Sequence, residues 1–211
     1  MSKTLLIVDA PNINSTVASF LSVVYRQQGY IPKSYELPHY EALIAYWSRP
    51  ESELIAWLMA NVNPGQAESR WLACARNGGF SVITKPRSVV NGEVDFDINP
   101  SDIDEEMVAR FKQTLWNEPL DRVIVVSHDG KRWRTLLMLA RQLGFNVIVM
   151  GFREASEWQT VGASSNLWTF VDLRRVSGFI DAPLPEVPPI RQPIQLLDQM
   201  EQLLWPPEHS A

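Results

Sequence analysis

Short aliphatic runs separated by longer amphipathic stretches make up most of the chain. Residues 4–9, 122–127 and 145–151 are rich in β-branched side chains. Such runs are long enough for buried parallel strands and too short for buried helices. Residues 80–84 predict another strand. Residues 54–62 are also predicted as a strand, although their Leu, Ala and Met side chains would suit a helix as well.

Helical patterns occupy the intervals between these runs. They cover residues 17–28, 40–47, 68–76, a stretch that begins near residue 102, and residues 133–143. Residues 10–12 predict a turn before the first helix, and residues 167–173 predict a sixth strand at a sheet edge. Strands that alternate with helices predict an α/β fold, in which a Rossmann-like, open and mostly parallel sheet carries helices on both faces.

The composition fits a single α/β domain with an appendage. We predict a domain over residues 1–181, followed by a proline-rich arm and a short amphipathic C-terminal helix over residues 182–211. The apolar stripe of that helix is expected to dock on its own domain, and a homodimer contact is the alternative. The single cysteine, Cys74, excludes an internal disulfide and predicts a buried thiol.

Charge and hydropathy narrow the possible classes of protein. The formal net charge is −5 over 211 residues, which argues against nucleic-acid binding through bulk charge but allows a local basic groove. No signal peptide is evident, and no apolar run approaches the length of a membrane span. We therefore expect a cytoplasmic protein that does not enter membranes.

Acidic residues fall at the ends of two predicted central strands and near the start of a helix. Asp9 ends the first strand, Asp129 follows the strand at residues 122–127, and Asp104 lies at the start of a helix. In an open α/β sheet, chemistry occurs beyond the carboxyl ends of the strands. Clustered carboxylates favour a bound cation, and oxygen ligands suit Mg or Mn. We therefore predict a metal site at this edge, to which Asn12 could add an amide oxygen or orient a water.

Each of these residues also has a purely structural interpretation. Asp9 could cap the turn that follows it, Asp104 could favour the helix dipole, and Asp129 could belong to an ordinary turn. His128 is expected to be a hydrogen-bonded structural residue, because nothing in the sequence pairs it with a nucleophile. Asp102 is a possible auxiliary ligand. A metal site shared by Asp9, Asp104 and Asp129 is favoured because all three acids lie near a strand end or a helix start.

These motifs together resemble one known family. The matching segments are Leu6-Ile7-Val8-Asp9-Ala10-Pro11-Asn12, Phe80-Ser81-Val82-Ile83-Thr84-Lys85-Pro86, Ser101-Asp102-Ile103-Asp104 and Val125-Val126-Ser127-His128-Asp129-Gly130. A closing segment is formed by Ala163-Ser164-Ser165-Asn166-Leu167, with Asp172 beyond it. In order and spacing, these segments resemble the NYN domains of the PIN-like nuclease group. One departure is that Lys131-Arg132-Trp133 stands where the family often carries a further acid.

The resemblance implies an enzyme, a metal-dependent ribonuclease that hydrolyses RNA phosphodiester bonds with Mg or Mn. By motif match, Asp9, Asp104 and Asp129 would bind the metal. The supporting residues would be Asn12, Asp102 and Ser127. RNA, the expected partner, would be held by the basic residues Lys131, Arg132, Arg134 and Arg153. Two alternatives stay open, a non-catalytic RNA-binding or regulatory module with the same fold, and a phosphatase-like hydrolase.

Overall fold

Eight strands and five α-helices are present in the part of the chain that the computed structural model describes. That part comprises residues 2–28, 38–62, 69–87, 89–90, 93–94, 102–155 and 167–181. The strands are β1 (Ser2–Asp9), β2 (Ser52–Val62), β3 (Ser81–Pro86), β4 (Val89–Val90), β5 (Glu93–Val94), β6 (Arg122–Val126), β7 (Asn146–Gly151) and β8 (Thr169–Asp172). The helices are α1 (Ala10–Gln28), α2 (Glu41–Trp47), α3 (Arg70–Asn77), α4 (Asp102–Asn117) and α5 (Gly130–Gln142).

Six of the strands form one sheet in the order β3-β2-β1-β6-β7-β8, and every neighbouring pair is parallel. The predicted α/β, Rossmann-like fold is therefore confirmed. Strands β2 and β3 lie on one side of β1. Strands β6, β7 and β8 lie on its other side. The strand order thus reverses between β1 and β6, whose register pairs Val8 with Val126. The short antiparallel hairpin of β4 and β5 was not predicted from the sequence.

Alternate side chains of the central strands pack into two hydrophobic cores, one on each face of the sheet. Leu6 and Val8 of β1 point into a core that also contains residues of α1, α2 and α3. Leu5 and Ile7 point into the opposite core, which contains residues of α4 and α5. From Thr4 to Asp9 both faces of β1 are buried, as expected for a central strand of a parallel sheet covered by helices.

Helix α1 begins earlier than the sequence pattern predicted, because the turn expected at residues 10–12 is already helical. The Asp9 carboxylate accepts a hydrogen bond of 3.4 Å from the Asn12 backbone N–H, which is the geometry of an N-cap. Pro11 is compatible with this start, since the first turn of a helix needs no donor at that position. The apolar periodicity alone placed the start of the helix too late.

The predicted burial of Cys74 is wrong. Its side chain is exposed, because Leu72 and Ala75 form the buried face of α3 and Cys74 lies on the other side of the helix. The arm and amphipathic helix predicted at residues 182–211 lie outside the described residues, and so does any dimer contact made by them. Among the helices that the structure describes, none has the length and hydropathy of a membrane span.

Candidate active site at the carboxyl edge of the sheet

Two acids lie where the carboxyl ends of β1 and β6 meet. Asp9 is the last residue of β1, and Asp129 follows β6 by three residues and caps α5. Because β1 and β6 are adjacent and parallel, these two residues share one edge of the sheet, at the point where the strand order reverses. Crevices at such points are the usual ligand sites of open α/β sheets.

A serine hydroxyl connects the two acids. Ser127 Oγ donates a hydrogen bond of 3.0 Å to Asp9 Oδ2 and accepts one of 3.2 Å from the Asp129 backbone N–H. Both Asp9 and Ser127 are buried, with Asp9 only 3% exposed. The serine proton is committed to the carboxylate, so Ser127 acts as a structural link between the strand ends and not as a nucleophile.

The buried Asp9 carboxylate has an electrostatic effect on its surroundings. The pKa of the Tyr40 phenol is raised well above its ordinary value, first by burial and second by the negative charge of Asp9. The Tyr40 hydroxyl donates a hydrogen bond of 2.9 Å to Asn14 Oδ1. The phenol therefore stays protonated, and it can serve as a neutral donor next to a buried negative charge.

His128 joins β6, α1 and β7 through a hydrogen-bond network. Its backbone N–H donates to Asn12 Oδ1 at 2.7 Å, and its Nδ1 lies 3.0 Å from both Asn12 Oδ1 and Thr16 Oγ. Its Nε2 accepts a hydrogen bond of 2.9 Å from the Phe152 backbone N–H. Burial lowers the pKa of His128 to about 3, so the ring is neutral near pH 7.

The network depends on residues that the sequence did not point to. Thr16 and Phe152 come from segments with no motif, and the Phe152 ring stacks on His128 with centroids 5.8 Å apart. Gly151 leaves room for the imidazole, because a Cβ there would lie 2.9 Å from His128 Cδ2. Only the tertiary fold brings these positions together.

Asp129 is held by the helix that it caps. Its Oδ1 accepts a hydrogen bond of 2.9 Å from the Arg132 backbone N–H, and its Oδ2 lies 3.3 Å from Arg132 Nε. The carboxylate is therefore oriented by a cap and neutralised in part by a guanidinium. The ion pair therefore places a positive charge directly beside one of the two acids at this edge.

The carboxylate oxygens present at this edge are of the kind that Mg or Mn prefers. Asp9 and Asp129 both supply them, and Asp104 lies in the first turn of α4. The side chains of Asp104 and Asp102 lie outside the described residues. Within the described part of the chain, no three His, Cys, Asp or Glu side chains are grouped closely enough to hold a metal. Asp9 and Asp129 thus offer the oxygen ligands that such an ion prefers, and a metal site shared with Asp104 stays a prediction.

Arginines follow three consecutive strands along the same edge. Arg132 comes after β6, Arg153 after β7 and Arg174 after β8. Arg153 is 62% exposed, and its Nε lies 4.0 Å from Asp172 Oδ2. Arg174 lies with its guanidinium carbon 5.6 Å from the centre of the Phe152 ring. Arg174 was not predicted from the sequence, because no motif marks it.

Two other predicted basic residues, Lys131 and Arg134, lie on α5 and are exposed. Together with Arg132 they place positive charge on the first turns of a helix, although cations are less favourable there than anions. Trp133 lies between them in sequence but is fully buried in the core.

Comparison with protein families decides what kind of domain this is. The chain matches the NYN domain over residues 3–172, which is most of its length. The chain belongs to the NYN domain family. NYN domains are part of the PIN-like superfamily, so this one has a PIN-like, nuclease-type fold. The resemblance inferred from the motifs is thereby confirmed.

Comparisons with individual proteins add information on the fold. No curated protein matches this NYN domain. Among solved structures, it is similar to a protein of unknown function from Vibrio parahaemolyticus, with a TM-score of 0.59 and 20% sequence identity. The similarity covers 82% of this chain and 93% of that chain. At this level of identity, the likeness shows a shared fold.

Proposed function

We propose that this NYN domain is a metal-dependent endoribonuclease that hydrolyses RNA phosphodiester bonds. The observation that carries the proposal is the link from Asp9 through the Ser127 hydroxyl to the backbone of Asp129. It holds two acids at the carboxyl edge of adjacent central strands. Burying an ionised carboxylate is costly, and a cation bound beside Asp9 would offset part of that cost.

In the proposed site, Asp9, Asp104 and Asp129 would hold Mg or Mn, and Asp102 would support them. When bound, the ion supplies a Lewis acid that lowers the pKa of water and stabilises charge on a phosphate oxygen. Asp9 is fixed by the Asn12 N–H and the Ser127 hydroxyl. Such fixed carboxylates need little reorganisation when a cation or substrate arrives.

The proposed path of the RNA backbone follows the cations at this edge. Lys131, Arg132 and Arg134 would contact phosphates at the start of α5, and Arg153 would do so beyond β7. Arg174 extends this row beyond β8. Adjacent strands are about 4.8 Å apart, so the row is compatible with contacts to successive parts of an extended strand. An arginine can bind phosphate oxygens in a bidentate fashion.

A second candidate is an RNA-binding module without catalytic activity. The observation in its favour is the ion pair between Arg132 and Asp129, which gives one proposed metal ligand a cationic partner from the protein itself. Such a module would bind RNA through the same arginines and would not depend on a metal.

RNA cleavage with and without metal distinguishes the two candidates. Purified protein is incubated with mixed-sequence RNA in Mg, in Mn and in chelator, with Asp129→Asn as the matched variant. Metal-dependent cleavage by wild type that the variant loses supports the ribonuclease. Cleavage that persists in the variant would point to a contaminating nuclease. RNA binding without any cleavage would overturn the ribonuclease and favour the binding module.

A further inference from the structure

The orientation of the Asn12 amide is fixed by a backbone donor. The His128 backbone N–H lies 2.7 Å from the amide atom assigned as Oδ1. Because a backbone N–H can only donate, its partner must be the amide oxygen and not the amide nitrogen. The oxygen of Asn12 therefore faces the chain that leaves β6.

A second backbone donor fixes the tautomer of the His128 ring. The Phe152 N–H donates to Nε2 at 2.9 Å, so Nε2 carries no proton and Nδ1 carries it in the neutral ring. Nδ1–H then donates to Asn12 Oδ1 at 3.0 Å. Thr16 Oγ donates its own proton to the Asn12 backbone carbonyl at 3.1 Å, so it can only accept from Nδ1–H.

The two donors of His128 occupy the acceptor capacity of the Asn12 side chain. Oδ1 receives hydrogen bonds from the backbone N–H and from Nδ1–H, and an amide oxygen has two lone pairs. Within the described residues, no acceptor is assigned to the amide NH2 group, and the side chain is only partly buried. The group that Asn12 can offer a ligand is therefore N–H and not oxygen.

We propose that Asn12 is an N–H donor to a non-bridging oxygen of the RNA phosphate, with His128 as the positioning residue that fixes its orientation. This inference rests on the proposed function, and it replaces the expectation that Asn12 contributes an amide oxygen to a metal. Carboxylates at this edge repel a phosphate, whereas a neutral donor attached to the same helix start attracts it. A donor held by two hydrogen bonds is preorganised for charge that develops on that oxygen.

Two affinities separate a phosphate donor from a metal ligand. RNA affinity is measured in chelator, and Mn affinity is measured without RNA, for wild type, Asn12→Ala and Asn12→Asp. We expect Asn12→Ala to weaken RNA binding about tenfold and to leave Mn affinity unchanged. Asn12→Asp should weaken RNA binding further, because a carboxylate repels phosphate.

Asn14→Ala is the matched control, since Asn14 lies two residues further along α1 and accepts from the Tyr40 hydroxyl. This variant should lower stability but leave both affinities of the folded protein at the wild-type values. Loss of Mn affinity in Asn12→Ala, with recovery in Asn12→Asp, would overturn the inference in favour of an oxygen ligand. Unchanged RNA affinity in both Asn12 variants would overturn it too.

The positioning role of His128 is tested by a double-mutant cycle. His128→Phe keeps an aromatic ring to stack on Phe152 but removes Nδ1–H. We expect it to weaken RNA binding in the wild-type background and to have no further effect in Asn12→Ala. Additive losses would overturn the positioning role. Wild type that binds no RNA at all would overturn the proposed function itself, a result distinct from a failure of the Asn12 variants alone.

Discussion

The Ser127 hydroxyl donates a hydrogen bond of 3.0 Å to Asp9 Oδ2, and this contact joins the ends of the two central strands. The same hydroxyl accepts from the backbone N–H of Asp129. A single small side chain thus fixes the relative position of two acids from distant parts of the sequence. Their placement is a consequence of strand order and not of local sequence.

Ser127→Ala should lower the free energy of unfolding by about 1–3 kcal/mol, because it removes a hydrogen-bond donor to a buried carboxylate. Urea unfolding followed by circular dichroism measures the difference. Thr135→Ala, an exposed change on α5, is the control and should alter stability by less than about 0.5 kcal/mol. Equal free energies of unfolding of the two variants would mean that the Ser127 hydrogen bond does not stabilise the fold.

The fold was predictable from the sequence because its central strands are short apolar runs rich in β-branched residues. Such runs at residues 4–9 and 122–127 fit strands buried on both faces, and the helical patterns between the strands imply a parallel sheet. The start of α1 was less predictable, because Pro11 and Asn12 resemble a turn. The exposure of Cys74 could not be predicted, because the apolar pattern of so short a helix does not decide which face is buried.

The site was only partly predictable. Asp9 and Asp129 are marked by their positions after strands. The partners of His128 are not, because Thr16 and Phe152 are distant in sequence and carry no pattern of their own. The pairing of Arg132 with Asp129 is a local i,i+3 contact, so it could have been anticipated from the helix start.

The buried His128 should make stability depend on pH. Its pKa is about 3 in the folded protein, below the ordinary value of 6.5, so the unfolded chain takes up a proton that the folded chain does not. The contribution of the neutral His128 to the free energy of unfolding is therefore complete above pH 6.5 and is lost as the pH falls toward 3. The slope approaches about 1.4 kcal/mol per pH unit.

Denaturant unfolding at a series of pH values, for wild type and His128→Gln, isolates this contribution. Carboxylates contribute to both curves, so the informative quantity is the difference between the two proteins. We expect the stability advantage of wild type over the variant to shrink as the pH is lowered from 7 to 5. If the free energies of unfolding of the two proteins change in parallel with pH, the pKa of His128 is not lowered in the folded state, which would contradict the prediction.

Gly151→Ala should destabilise the protein through His128. The added Cβ would lie 2.9 Å from His128 Cδ2, so the imidazole has to shift, which disturbs its hydrogen bonds to Asn12 and Phe152. We expect a loss of about 1–3 kcal/mol, typical of overpacking in a tight core. In a His128→Ala background the same change should cost clearly less, and thermal unfolding of the four proteins measures the coupling. An identical loss of stability in both backgrounds would show that Gly151→Ala does not act through His128.

Arg132→Gln should raise the affinity for Mn, because it removes a cation from Asp129. The pair is partly exposed and screened, so the expected gain is only about two- to fivefold. Titration calorimetry without RNA measures it. Lys131→Gln removes the same charge one residue earlier, and a smaller gain there would show that the contact with Asp129 matters and not the charge alone. Reduced Mn affinity in Arg132→Gln would contradict the idea that Arg132 and Mn compete for the Asp129 carboxylate.

The same two cations should contribute to RNA binding. Lys131→Ala combined with Arg132→Ala is expected to weaken RNA affinity and to flatten its dependence on salt, because fewer counterions are released. RNA affinity measured over a salt series for wild type and the double variant tests this. Identical slopes would show that neither side chain contacts phosphate.

The central claim is that Asp9, Asp104 and Asp129 form one metal site, and metal-induced thermal stabilisation tests it most directly. An ion that binds only the folded state raises the melting temperature by mass action. The proteins compared are wild type, the three Asp→Asn variants at these positions, and Glu105→Gln, which changes an exposed neighbour of Asp104. We predict that Mn raises the melting temperature of wild type and Glu105→Gln but not of the three Asn variants. Equal shifts in all five proteins would contradict the shared site.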